Sequence, residues 1–257
     1  MANKDSVTYT ISIALLLCVV CSIVVSTASV MLRPAQQANK EMDFKRNILM
    51  AAGIYEQGVN VEEQFESVET LVVNLDTGKF TDAVDPAKYD QRKASNDPSK
   101  SEKLSSDNDI AKVGRVEHYA EVYRAKSDGG SEILILPVRG YGLWSTLWGF
   151  LALESDLNTV VGIGFYEHGE TPGLGGEVDN PRWKSLWEGK KIFDETGEYT
   201  FQIIKGVVDS GTPNAEHKVD GLSGATLTSR GVDNLIKFWL GENGFGPFLK
   251  NLKKGEA

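Results

Sequence analysis

From Tyr9 to Leu32 the chain carries no charged side chain, and its polar positions are scattered Ser, Thr and Cys with one Tyr. As a helix rising about 1.5 Å per residue, this run reaches roughly 36 Å, enough to cross a bilayer with some tilt. The Ser and Thr are tolerated there because each can bond back to a helix carbonyl. A cleaved secretory signal has an apolar region of about 7–15 residues behind a basic leader. Here the run is longer, and the leader's Lys4 is offset by Asp5. The pattern therefore favours a retained anchor.

After the anchor the pattern changes period. Asn60 and Glu63 have capping-box spacing, and Val61, Phe65, Val68, Val72 and Leu75 form one apolar stripe, which predicts a helix over 60–75. Glu132 to Arg139 reads as a strand. Gly149 to Glu154 and Thr159 to Glu167 predict a hairpin turning at Asp156-Leu157-Asn158, and Thr200 to Val208 predicts a further strand. Near the carboxyl end Val232, Leu235, Ile236 and Trp239 fall at i, i+3, i+4 and i+7, a helix that Ser229 or Thr228 can cap and Gly241 can end. Asp85 to Asp109, rich in Lys, Asp, Ser and Asn, reads as a surface excursion. Strands clustered between helices predict an α+β fold with an antiparallel sheet rather than βαβ repeats.

Charge and composition narrow the function. The net charge is −9 at pH 7, which argues against nucleic acid as a partner. Cys18 and Cys21 are the only cysteines and both lie in the apolar run, so no disulfide framework is available to the remainder. Their C-x-x-C spacing lacks a thioredoxin-like context and suits close helix packing. Arg33, Lys40, Lys45 and Arg46 follow the span, and by the positive-inside bias alone the large domain would stay cytoplasmic.

Three segments hold candidate chemistry. Asp220-Gly221-Leu222-Ser223-Gly224-Ala225-Thr226-Leu227-Thr228-Ser229 places small hydroxylated residues ahead of the last predicted helix, where backbone N–H groups lack partners and an anion is welcome. A plain turn with a hydroxyl N-cap has the same composition. The segment is neither a Walker loop nor a G-x-G-x-x-G fingerprint. Gly140-Tyr141-Gly142-Leu143-Trp144-Ser145 sets aromatics between glycines, and Trp144 or Tyr141 offers a flat apolar face. His168-Gly169-Glu170-Thr171-Pro172-Gly173-Leu174-Gly175-Gly176 allows close backbone approach to a planar ligand, with Leu174 placed to pack on it. His168 has no metal-ligand spacing around it and reads as structural. No nucleophile elbow is present.

The Asp220–Ser229 stretch resembles the flavinylation signature Asp-Gly-x-Ser/Thr-Gly-Ala-Thr-x-Thr-Ser, whose threonine after Gly-Ala carries FMN through a phosphodiester. Together with the single span, the Gly-Tyr-Gly-Leu-Trp-Ser loop and the Glu-Thr-Pro-Gly-Leu-Gly turn, the chain resembles the FMN-binding C subunit of sodium-translocating NADH:quinone oxidoreductases. The G subunit of the related ion-translocating ferredoxin (Rnf) complex is the rival, and the long segment before Glu132 leans toward the quinone reductase. The resemblance implies an organisation of a leader at 1–8, a transmembrane helix at 9–32, a linker and accessory helical region at 33–130, and an FMN-binding domain at 131–257.

The resemblance also implies covalent FMN on Thr226. Ser223, Gly224, Ala225, Leu227 and Thr228 would surround the phosphate, with Trp144, Thr171, Gly173, Leu174 and Gly175 near the ring. It implies no metal and no catalytic residue in this chain. A separate flavin transferase would attach the cofactor, and subunits of A, B, D, E and F type would be its partners. The location implied is a bacterial inner membrane, single-pass, with the domain facing the periplasm. Composition alone also allows a membrane-anchored sensory or ligand-binding module without covalent flavin.

Overall fold

The computed structural model describes residues 6–127 and 129–257, so the leader's Lys4 and Asp5 lie outside the described residues. In chain order the elements are α1 (Val7–Ala51), α2 (Val61–Phe65), β1 (Glu69–Asn74), β2 (Lys79–Phe80), α3 (Gln91–Asn96), β3 (Ser101–Lys103), β4 (Arg115–Glu117) and β5 (Tyr119–Lys126). There follow β6 (Glu132–Tyr141), β7 (Thr146–Glu154), β8 (Val160–Glu167), α4 (Pro181–Ser185), β9 (Gln202–Ile204), β10 (Lys218–Asp220), α5 (Thr226–Trp239) and α6 (Gly246–Lys254). The chain divides into two units, the first ending at Asp43 and the second running Phe44–Ala257.

The first unit is helical. α1 is long and apolar enough to cross a membrane by length and composition, and it contains the expected 9–32 span. Leu15, Leu16 and Leu17, consecutive around the helix, are all exposed, so apolar side chains face outward in several directions. The Ser12 hydroxyl donates to the Thr8 carbonyl at 2.8 Å, the back-bonding that lets a hydroxyl sit in such a helix.

The second unit is built on a six-stranded antiparallel sheet in the order β2-β1-β5-β6-β7-β8. The Ile-Leu-Ile-Leu run of β6 looks indiscriminately apolar because both its faces are covered. Leu134, Leu136 and Val138 point to one core, shared with Leu151, Leu153 and the α5 side chains. Ile133 and Ile135 point to the other, with Phe150, Ala152 and the Ile48, Leu49 and Ala51 end of α1. Phe44 packs edge-on against Phe150, with ring centroids 5.0 Å apart. On α5 the predicted stripe Val232, Leu235, Ile236 and Trp239 is wholly buried. Each such side chain stabilises the fold by about 1.5–3 kcal/mol relative to exposure. Trp239 Nε1 also donates to the Arg139 carbonyl at 2.7 Å, which fixes α5 across β6.

Three expectations are corrected. The helix expected over 60–75 stops at Phe65: the Asn60 side chain caps it by accepting from the Glu62 amide at 2.8 Å, and the chain then turns into β1. Val72 and Leu75 are buried as predicted, but from β1 and the residue after it, because the β-branched Thr-Leu-Val-Val stretch gains a full register with β5. The strand expected over Thr200 to Val208 shrinks to β9, which pairs parallel with β10 outside the main sheet. The excursion Asp85 to Asp109 does lie mostly at the surface, and it contains α3 and β3. Lastly, the region expected as a helical accessory (33–130) supplies β1, β2 and β5 to the main sheet. β5 and β6 are direct antiparallel partners, with no break at 130/131.

Candidate functional site

The turn between β6 and β7, the segment after β8 and the start of α5 meet at one end of the sheet. β6 and β7 stay paired to Tyr141 and Thr146, and the turn closes with the Gly142 amide donating to the Ser145 carbonyl at 2.9 Å. The next strand leads into His168–Gly176, where the Thr171 carbonyl accepts from the amides of Leu174 and Gly176 at 3.1 and 2.9 Å. This tight turn pushes Leu174 outward, 45% exposed.

Glu170 joins all three segments. Its Oε1 accepts from the amides of Leu143, Trp144 and Ser145 at 3.0, 2.9 and 3.3 Å, and its Oε2 accepts from the Thr228 hydroxyl at 2.7 Å. Gly169 adds a 2.6 Å bond from its amide to Ser145 Oγ. Burial pushes the Glu170 carboxyl up, but the bonds from Thr228, Trp144, Leu143 and Ser145 together outweigh it and hold the group below the ordinary glutamate value. The close approach explains a glycine: a Cβ on Gly175 would lie 2.5 Å from Thr228 Oγ1 and 2.6 Å from Glu170 Oε2.

The hydroxyls around the start of α5 divide into committed and free. Thr228 is 0% exposed and spends its proton on Glu170. Ser229 accepts from the Leu222 amide and donates to the Ala225 carbonyl. Thr226, Ser223 and Gly224 are exposed. Ala225 occupies the N-cap without a side-chain bond, so neither Ser229 nor Thr228 caps the helix as expected. The amides of the first helical turn have no intrahelical acceptor by geometry. Gly224 sits at φ +72, where a side chain would strain the turn, and Leu174 packs against it. Asp220, at the head of the motif, accepts from the Val208 amide at 2.8 Å and so anchors a loop.

The structure thus gathers the predicted residues unevenly. Thr226 stands exposed at the head of α5, and Trp144 (66% exposed), Leu174 and Leu227 (53%) are large apolar side chains held at the surface of the three converging segments. Thr171 and Gly173 are exposed on the same turn as Leu174, whereas Gly175 and Ala225 are buried and shape the backbone. Thr228, expected against a phosphate, instead secures Glu170, because its side chain points into the fold. His168 is structural: its Nε2 lies 2.7 Å from Asp179 Oδ2, and its Nδ1 accepts from the Glu170 amide at 3.2 Å. The Asp179 hydrogen bond raises the His168 pKa above its ordinary value, against the lowering effect of burial. Glu170 is the residue that sequence reasoning missed. Its bond to Thr228 spans 58 positions, and no local period marks such a contact. The one available signal was an acid embedded in a glycine-rich turn.

An exposed hydroxyl at an open helix start, with exposed apolar side chains on the converging segments, suits a planar ligand bearing an anionic tail. Residues 142–241, which contain the whole site, match the FMN-binding domain family. Over its full length the chain is 55% identical to the C subunit of the Na(+)-translocating NADH-quinone reductase of Pseudomonas aeruginosa, covering 100% of both. It is 48% identical to the protein of the same name from Vibrio vulnificus, over 99% of each. The crystal structure of Shewanella oneidensis NqrC superposes with a TM-score of 0.77 at 40% identity, over 84% of this chain and 99% of that one. The corresponding Parabacteroides distasonis structure gives 0.66 at 31%, over 85% and 96%. The chain belongs to the family of C subunits of Na(+)-translocating NADH-quinone reductases. This separates it from the Rnf-type alternative.

Proposed function

We propose that the chain is the single-pass flavin subunit of a sodium-translocating NADH:quinone reductase, with FMN joined through its phosphate to Thr226 Oγ1. Full-length identity to C subunits of that enzyme supports the assignment to the complex, and the match over 142–241 supports FMN. One observation carries the attachment site. Of the three hydroxyls on the first turn of α5, Thr228 and Ser229 are buried and already bonded within the fold, while Thr226 is exposed.

The residues fit such a group. Trp144, Leu174 and Leu227 offer apolar surface for the ring. The open amides at the start of α5 and the exposed Ser223 suit phosphate oxygens. The amides of the 143–145 loop take no part in anion binding, because Glu170 fills them. When bound, FMN supplies one-electron exchange, which the protein tunes through nearby donors and local dielectric. This chain's contribution is to place and hold that group near the membrane surface. With FMN held there, the chain would relay electrons between redox centres of partner subunits (A, B, D, E and F type), and NADH oxidation would take place on another subunit.

Attachment requires a transferase acting on FAD. The Thr226 oxygen attacks the phosphorus on the flavin side, the pyrophosphate bond breaks, AMP leaves, and a base of the transferase takes the hydroxyl proton. Thr226 is a substrate in that event and takes no part in turnover. A permanent link suits a domain on the periplasmic face, where a dissociated nucleotide is not replaced. The test is intact mass and in-gel flavin fluorescence after denaturation, using the chain expressed in its native membrane. Thr226→Ala is expected to abolish both signals with the domain still folded. Fluorescence that survives in Thr226→Ala refutes the attachment site, and a colourless, unmodified wild-type chain refutes the flavin reading.

A further inference from the structure

We propose that Glu170 is the positioning residue of the flavin site: one carboxylate fixes the Trp144 loop against the start of α5 and sets a negative charge behind it. This rests on the flavin reading above and adds what holds that site in shape. Oε1 takes three consecutive amides of the loop that carries Trp144, and Oε2 takes the hydroxyl of Thr228, two residues beyond Thr226. The same side chain therefore ties the apolar wall to the attachment helix. Space has been kept for it, since a Cβ on Gly142 would lie 2.6 Å from Oε1 and one on Gly175 would lie 2.6 Å from Oε2.

All four of these donors are uncharged. Glutamine meets the same geometric demand. Its amide oxygen can accept from the three loop amides, and its NH2 can face Thr228, whose hydroxyl rotates to accept. A carboxylate is therefore more than the fold requires. What it adds is a fixed charge, buried to 5% exposure where the local dielectric is low. A negative charge beside a redox group opposes electron uptake, so Glu170 holds the flavin potential down.

The test uses the full-length chain in detergent as wild type, Glu170→Ala and Glu170→Gln. On a Thr226→Ala background, without flavin, hydrogen exchange at the amides of Leu143, Trp144 and Ser145 is expected to quicken at least tenfold in Glu170→Ala. In Glu170→Gln it stays within threefold of the parent, and strand β7 is unchanged in both. On flavin-loaded chain, Glu170→Gln is expected to raise the midpoint potential. Unchanged loop protection in Glu170→Ala overturns the positioning role, and an unmoved potential in Glu170→Gln overturns the role of the charge. Should Glu170→Ala fail to fold, Thr228→Val cuts only the link to α5 while Thr228→Ser keeps it. The Val variant is expected to loosen the loop amides and the Ser variant to leave them protected, and equal protection in the two overturns the proposal. Failure of the flavin reading shows separately, as a wild-type chain without colour.

Discussion

Two buried carboxylates in this molecule are satisfied in opposite ways. Glu117, on β4, meets a cation: Arg139 Nη1 and Nη2 donate to its two oxygens at 2.8 and 2.6 Å, and both side chains are almost fully buried. The guanidinium also lies over the rings of Trp148 and Trp239, at 5.4 and 5.0 Å. Among the described residues Glu170 has no such partner, and it is held by backbone amides and one hydroxyl. The first arrangement cancels charge and ties β4, β6 and α5 into the core. The second leaves charge in place at the end of the sheet where the three segments meet. A paired ion serves packing, whereas an amide-bound ion serves a site, because only the latter leaves a net field for a neighbouring group to feel.

Breaking the paired side has the largest expected effect. Arg139→Met leaves Glu117 charged, buried and without its cation, and is expected to cost about 3–5 kcal/mol in denaturant unfolding of the chain. A loss below about 1 kcal/mol would remove the contrast. Acidification addresses the other side. Because its folded pKa lies below the ordinary value, Glu170 contributes stability that is fully present above about pH 4.3 and fades as pH falls through the folded value. The gap between wild type and Glu170→Gln in thermal midpoint is therefore expected to narrow toward pH 3 and to be flat from pH 5 to 7. A gap that widens with acid contradicts the hydrogen-bonded carboxylate.

The smallest effect concerns the histidine behind Glu170. His168, raised by Asp179, contributes stability that is complete below about pH 6.5 and disappears as pH rises through its folded value. Asp179 is half exposed, so the pair is worth under about 1 kcal/mol. In Asp179→Asn the His168 ring is expected to titrate at lower pH by NMR. The chain has only three histidines, which makes its signal assignable. An unmoved titration would mean the pair is incidental.

How far the site was legible follows from the range of each contact. The hydroxyl cluster before α5, the aromatic loop and the glycine turn are each contiguous, and each was visible as a stretch. Their meeting was not, since Ser145 and Glu170 are 25 residues apart and Glu170 and Thr228 are 58 apart. The roles of Thr226 and Thr228 could not be divided from composition either. Both are threonines on one helical turn, and only the packed helix shows which hydroxyl is sealed. The 60–75 stripe failed for a related reason. Its apolar spacing suits a helix, yet strand pairing with β5 outweighs a weak local preference.

By itself the sequence determined what depends on neighbours along the chain: an uncharged run long enough for a bilayer, the buried face of α5, the β7–β8 hairpin and the threonine-bearing turn. Only the tertiary structure decided which strands join one sheet, which threonine faces out, and that a lone glutamate clasps loop to helix. Local patterns are set by periods of two and 3.6 residues, which survive in one dimension. Hydrogen bonds between distant segments exist only after the backbone has closed the space between them.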